Sequence, residues 1–252
     1  MPIAEADLKW YGSAVMPDDD TVTQIGGAIA TTKKVEFTDI TPAGLIEMVS
    51  SNAGDTTQTV TLYGRNASGV LISEVKTLNG LTVVDFTLTW ERLLKAVMSA
   101  TAVGTVTIRK DAAGGDLMIL EPGLTEVRRL FYSALAEEVG GAERNYYEKI
   151  FVKNTHGSLT LTSSVITEFA DPSTVCAFDL VTILDGNDDN GVGNNRQIAP
   201  GGYVFDSTAK DVANSGNLTF GSAQGIWMEL TLTAGLAPAK TSVTMKVTGN
   251  TT

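Results

Sequence analysis

Period-two alternation of apolar and polar residues constrains this chain more than any other feature. It marks two blocks. One holds Thr59-Val60-Thr61-Leu62-Tyr63-Gly64-Arg65 and closes on Gly104-Thr105-Val106-Thr107-Ile108-Arg109. The other holds Ile150-Phe151-Val152-Lys153-Asn154 and closes on Thr241-Ser242-Val243-Thr244-Met245-Lys246-Val247-Thr248-Gly249. Alternation of this kind gives a strand one dry face and one wet face. The sequence therefore specifies sheets and turns before it specifies any chemical site.

A chain of 252 residues holds one large or two ordinary domains, and 43% hydrophobic content fills their cores. The net charge of −11 argues against nucleic-acid binding, which needs a basic surface. No apolar run reaches the ~20 residues that span a bilayer, so no membrane partner is expected. The opening Met1-Pro2-Ile3-Ala4-Glu5-Ala6-Asp7 lacks the basic and apolar regions of a signal peptide. A single cysteine, Cys176, excludes an internal disulfide and points to assembly in a cytoplasm.

The expected fold class is all-β: two antiparallel β-sandwich domains, Ig-like or jelly-roll-like, with an extended N-terminal arm and a short helical connector. Residues 1–34 read as the arm, with Leu8, Trp10 and Tyr11 as its anchor and Gly26-Gly27 as a joint. These aromatics either pack on their own domain or dock on a neighbouring subunit. If they dock, a chain lacking 1–34 stays folded and loses assembly; if they pack, it unfolds. Residues 35–120 read as the first sandwich, with strands at 34–38, 46–50, 58–64, 70–78, 83–88 and 104–110. Turns are expected at Asn66-Ala67-Ser68-Gly69 and Asn79-Gly80. A short helix is expected over 90–99, where Leu93, Leu94, Val97 and Met98 make one face. The connector is 121–145, with helix-compatible residues 125–139 ended by Gly140-Gly141. Residues 146–252 read as the second sandwich, with strands at 147–154, 159–169, 175–184, 202–205, 216–220, 225–234 and 241–248.

The most metal-like stretch is Asp185-Gly186-Asn187-Asp188-Asp189-Asn190-Gly191. Asp185, Asn187 and Asp189 mimic the start of an EF-hand loop. Yet the sixth position is Asn190 rather than glycine, and the twelfth is Arg196 where a bidentate glutamate belongs. The plainer reading is a solvated loop of turn-forming Asn and Asp. Any nucleophile–base site would have to use His156, the one histidine, which sits between strands in Asn154-Thr155-His156-Gly157-Ser158 and reads as a turn residue. Zinc lacks its usual ligand set, and Cys176 reads as a small core residue. Glu137-Glu138 and Asp188-Asp189 read as solvated charge, and the glycines of 64–69 as turn glycines. No catalytic residue and no cofactor is expected.

Several segments resemble tailed-bacteriophage virion proteins. Asp7-Leu8-Lys9-Trp10-Tyr11 followed by Ile25-Gly26-Gly27-Ala28-Ile29 is similar to their opening arm. Leu130-Phe131-Tyr132, Glu137-Glu138-Val139-Gly140-Gly141 and residues 146–161 are similar to a run that opens a sandwich domain. Ile226-Trp227-Met228-Glu229-Leu230-Thr231-Leu232-Thr233-Ala234-Gly235 is similar to their ending. Residues 64–80 and 90–94 resemble a small sandwich module recurrent in phage structural proteins, so that 35–127 looks inserted between the arm and a C-terminal sandwich. The resemblance implies a non-enzymatic virion component, assembled in the host cytoplasm. Its partners would be copies of itself, as a homo-oligomer, and other virion proteins. Its place would be the tail or baseplate, or alternatively the capsid as a decoration protein. Two other classes stay open. One is a carbohydrate- or host-surface-binding module using Trp90, Trp227 and the 185–196 loop; the other is a glycan hydrolase.

Overall fold

The computed structural model describes residues 2–134, 142–235 and 242–252. It is 48% strand and 3% helix, which makes the chain all-β. The chain divides into two compact units, Met1–Ala30 with Phe131–Thr252, and Thr31–Leu130. None of the described helices is long and apolar enough to cross a membrane.

The first strands are β1 (Leu8–Val15) and β2 (Gly26–Lys34), which begins in one unit and ends in the other. The Thr31–Leu130 unit continues with β3 (Ile46–Ser50), β4 (Thr59–Arg65), β5 (Leu71–Thr77), β6 (Val84–Asp85), β7 (Arg92–Met98), β8 (Val106–Lys110), β9 (Asp116–Leu120) and β10 (Glu126–Arg128). They form two sheets, ordered β10-β7-β4-β5 and β6-β3-β8-β9. The last residues of β2 join β10 in parallel, with Lys33 beside Glu126. The remaining strands are β11 (Arg144–Asn154), β12 (Leu161–Ala170), β13 (Cys176–Leu184), β14 (Lys210–Asp211), β15 (Ala223–Leu232) and β16 (Thr244–Thr251), with the short helix α1 (Ala213–Gly216) before β15. They build β13-β15-β11-β1-β2 and β14-β12-β16.

The stretch expected as an arm is not one. β1 lies between β11 and β2, and its backbone pairs with β11 from Leu8 opposite Asn154 to Gly12 opposite Ile150. Trp10 and Tyr11 are half-buried on opposite faces of that strand. The physical reason is plain: the sheet leaves a gap that a strand must fill for its backbone groups to be bonded.

The helix expected over 90–99 is β7 instead. Leu94, Ala96 and Met98 alternate inward, and a bulge opposite Tyr63 and Gly64 lets the adjacent Leu93 turn inward as well. Pairing with β4 and β10 overrides the helical spacing. The connector helix is also replaced where it is described, by β10 and a turn with positive φ at Phe131 and Ser133. Residues 135–141, with Glu137-Glu138 and Gly140-Gly141, and 236–241 of the expected hairpin reversal lie outside the described residues. Of the remaining expected strands, 34–38 is irregular beyond Lys34, where β2 ends, 202–205 is irregular with an isolated bridge next to it at Asp206, and 216–220 shrinks to an isolated bridge at Leu218. The unexpected strand β9 is buried at Leu117, Met118 and Leu120, so it shows no alternation to read.

In the Thr31–Leu130 unit the core centres on Trp90, met edge-on by Phe86 at 6.3 Å between ring centroids. Gly64 is the close-approach position. A Cβ there would strike Trp90 Cε3 at 2.7 Å and the Arg92 carbonyl oxygen. Asp55 closes the same unit from the inside: its carboxylate accepts Ser50 Oγ at 2.6 Å, Val103 N at 2.9 Å and Gly104 N at 3.0 Å.

Two outcomes follow from these placements. A chain beginning at residue 18 lacks an interior strand and should lose the cooperative unfolding transition of its sheet, read by circular dichroism. Gly64→Ala should destabilise the Thr31–Leu130 unit by about 1–3 kcal/mol in urea unfolding, the usual cost of overpacking.

Candidate functional site

The polar centre of the molecule grows from β11. This strand is buried along almost its whole length. On one face Tyr147, Lys149 and Phe151 stand opposite Glu229, Trp227 and Gly225 of β15. The segments covering that face come from residues 17–27 and 185–206. Ile25, Tyr147, Val181 and Trp227 form the apolar cluster there, with Val22, Tyr203 and Phe205 packed on it.

Lys149 lies within this cluster with its side chain fully buried. An ammonium in such a place must bond all three protons or neutralise. Nζ donates to Gly27 O at 3.1 Å, Gly186 O at 3.0 Å, Asp188 O at 3.0 Å and Asp188 Oδ1 at 2.6 Å. The Phe151 and Trp227 rings lie 4.9 and 5.9 Å from it. The other carboxylate oxygen, Asp188 Oδ2, accepts Trp227 Nε1 at 2.7 Å and the Tyr203 hydroxyl at 2.6 Å. Gly26 completes the fit at φ +97°, where a Cβ would meet Trp227 Cη2 at 2.7 Å.

Burial pushes the Lys149 ammonium below its ordinary pKa, against the pull of Asp188. Burial also works to raise the Asp188 carboxyl. The hydrogen bonds from Lys149, Trp227 and Tyr203 outweigh it and hold Asp188 below the ordinary 3.8. The Tyr203 hydroxyl is pushed up, by burial first and then by its bond to Asp188.

The acidic loop is fastened on both sides of this centre. Asp185 Oδ1 accepts Ala223 N at 2.9 Å. Asp189 accepts Gly191 N and Gln24 Nε2, both at 2.8 Å. Asn190 accepts Ile25 N at 2.8 Å and donates to the carbonyls of Asn194 and Asn195. Arg196 Nε reaches Asp20 Oδ1 at 2.6 Å, with its guanidinium 4.9 Å from the Tyr146 ring. Of the calcium candidates, Asp185 and Asp189 thus serve different backbone groups, and Asn187 is exposed. The oxygens that do converge are held by a lysine. Among the described residues the acidic group with metal-ligand spacing is Glu47, Asp85 and Asp111, where Glu47 Oε1 already accepts Arg109 Nε at 2.6 Å and Ala113 N at 3.1 Å.

Other sequence candidates have structural places. His156 Nδ1 accepts Ser158 N and Leu159 N and shapes the β11–β12 turn. The Cys176 thiol is pushed up to about 12 by burial, with Asp171 and Glu168 adding to it, so it stays protonated at neutral pH. Trp90 and Trp227 are fully buried and offer no sugar platform. Leu8, Trp10 and Tyr11 lie in β1 within their own unit. Sequence reasoning passed over Lys149, although one signal was there: Glu148-Lys149 interrupts the run Tyr146-Tyr147 and Ile150-Phe151-Val152. Compared with known protein families, curated proteins and solved structures, the chain matches none.

Removing Asp188 leaves a buried ammonium one anion short. Asp188→Asn should therefore cost about 3 kcal/mol in urea unfolding, the low end for a broken buried pair because Asp188 keeps some solvent. The double change Lys149→Met with Asp188→Asn should cost less than the two single changes added together. The sign with pH is fixed by the depressed Asp188 value. Its stabilisation is complete above the unfolded pKa and is lost as pH falls through the lower folded one. Asp188→Asn should flatten that acid limb of stability against pH.

Proposed function

We propose that the chain is a non-enzymatic structural component of a tailed-bacteriophage virion, assembling through protein–protein contacts in the tail or baseplate. One observation carries this reading furthest. The loops pinned around Lys149 turn Asp188 and Asn190 inward and present aliphatic side chains outward. Val192 is 87% exposed and Val204 70% exposed, with Ile198 beside them in the sequence. Val192 follows Gly191, whose N–H is fixed on Asp189, and Val204 N donates to Asp179 Oδ2 at 2.7 Å. Rigid loops bearing exposed aliphatic groups favour a protein surface as partner over a sugar, since little ordering entropy is lost on contact. The phage-like segments and the all-β architecture support the same reading. In it, the chain works in the virion and is assembled in the host cytoplasm, with copies of itself and other virion proteins as partners.

The direct test is electron microscopy of particles produced from the genome that encodes the chain, labelled with gold through an antibody raised against the purified protein. Label on the tail or baseplate is the expected result. Label on the head would move the protein to a capsid-decoration role, and particles without label would overturn the virion reading. Val192→Asp combined with Val204→Asp should lower incorporation into particles at least tenfold while leaving the melting temperature unchanged.

A further inference from the structure

We propose that β5 is a self-pairing edge, and that two copies of the chain join β5 to β5 in antiparallel register about a two-fold axis through Val75. The proposal rests on the assembly reading above and names one of its contacts.

Sheet edges offer unbonded backbone groups to a neighbouring strand, and most edges here are blunted. β13 is bridged by Asp206 at Phe178 and loses register between Leu180 and Leu184. β9 is capped where Thr38 N donates to Leu117 O at 2.8 Å. β6 and β14 are two residues long. β16 breaks register twice against β12. β5 differs. It pairs with β4 over seven unbroken positions, Leu71 opposite Arg65 through Thr77 opposite Thr59, and among the described residues it pairs with no other strand.

The ladder fixes which groups point outward. It is bracketed by Asn66 N to Val70 O and by Leu78 N to Gln58 O. Alternation between these bonds directs the backbone of Ile72, Glu74 and Lys76 to β4. The N–H and C=O groups of Leu71, Ser73, Val75 and Thr77 then face away from the sheet. The side chains of these same four residues are exposed, Leu71 at 52% and Val75 at 56%.

The sequence of the strand selects the occupant and the register. A two-fold through Val75 sets Val75 against its own copy and Ser73 against Thr77. It also sets Glu74 against Lys76 on both sides, extending the 3.0 Å Glu74–Lys76 pair already present within one chain. Such opposite-charge and β-branched cross-strand pairs are favourable. An axis through Glu74 would oppose like charges and inward-pointing backbone. An axis through Ser73 would oppose Glu74 with Ile72. The Val75 axis gives about six backbone hydrogen bonds between the copies.

The experiment is sedimentation of the full chain across concentration, paired with cysteine cross-linking. Residues opposed in a bonded antiparallel pair lie about 5.5 Å apart between Cα atoms, within disulfide reach. Val75→Cys should give a covalent dimer under mild oxidation. Leu71→Cys and the native chain, with Cys176 alone, should not. Val75→Lys should weaken self-association at least tenfold with an unchanged melting temperature. Discrete assembly that survives Val75→Lys, or cross-linking at Ser73→Cys in place of Val75→Cys, would overturn the pairing. A native chain that sediments as a monomer at every concentration would overturn it too. The gold labelling of particles decides the virion reading independently of all these outcomes.

Discussion

The Lys149 ammonium is the contact on which its unit depends. A charge buried this fully persists only with complete bonding, and the lysine and its acceptors come from three separate places in the chain. Gly27 belongs to the opening of β2, Gly186 and Asp188 to the acidic loop, and the lysine itself to β11. Each acceptor is positioned by further bonds of its own: Asp188 by Trp227 and Tyr203, and the loop around it by Asn190 and Arg196. The cluster therefore does the work usually given to a bound cation. It draws carbonyl oxygens and a carboxylate around a positive centre and so fixes an irregular covering over one face of a sheet.

This arrangement explains why the acidic loop invites a metal reading. Asp and Asn at close spacing are what oxygen ligation needs, and they are equally what tight turns need. The sequence shows the acidic loop in one place and the lysine some forty residues upstream, in a strand that otherwise reads as apolar. Only the fold brings them together.

Legibility in the sequence follows the same division. Strands with alternating burial announce themselves: β4 and β5 lie within a residue of the expected bounds. Strands buried on both faces or bent by bulges do not. The adjacent Leu93 and Leu94 mimic a helical face because a bulge turns both inward, and β9 shows no alternation at all. The stretch expected as an arm is a strand for a related reason. Leu8-Lys9-Trp10-Tyr11 has no clear alternation, because β1 is an interior strand with half-buried side chains on both faces. Long-range pairing decided these segments, and local pattern carries no record of it.

The division of units, with Thr31–Leu130 set between the two parts of the other, has a consequence for synthesis. Every strand partner within the inserted unit has left the ribosome once residue ~130 has emerged, so that unit can close while translation continues. β1 has no such early partner on its β11 side. It emerges before the Thr31–Leu130 unit, yet pairs there with residues 150–154, and the strand must wait through the making of that entire unit. Closing that sheet is then a long-range event, slow by its topology. A strand made before the inserted unit is thus secured after it.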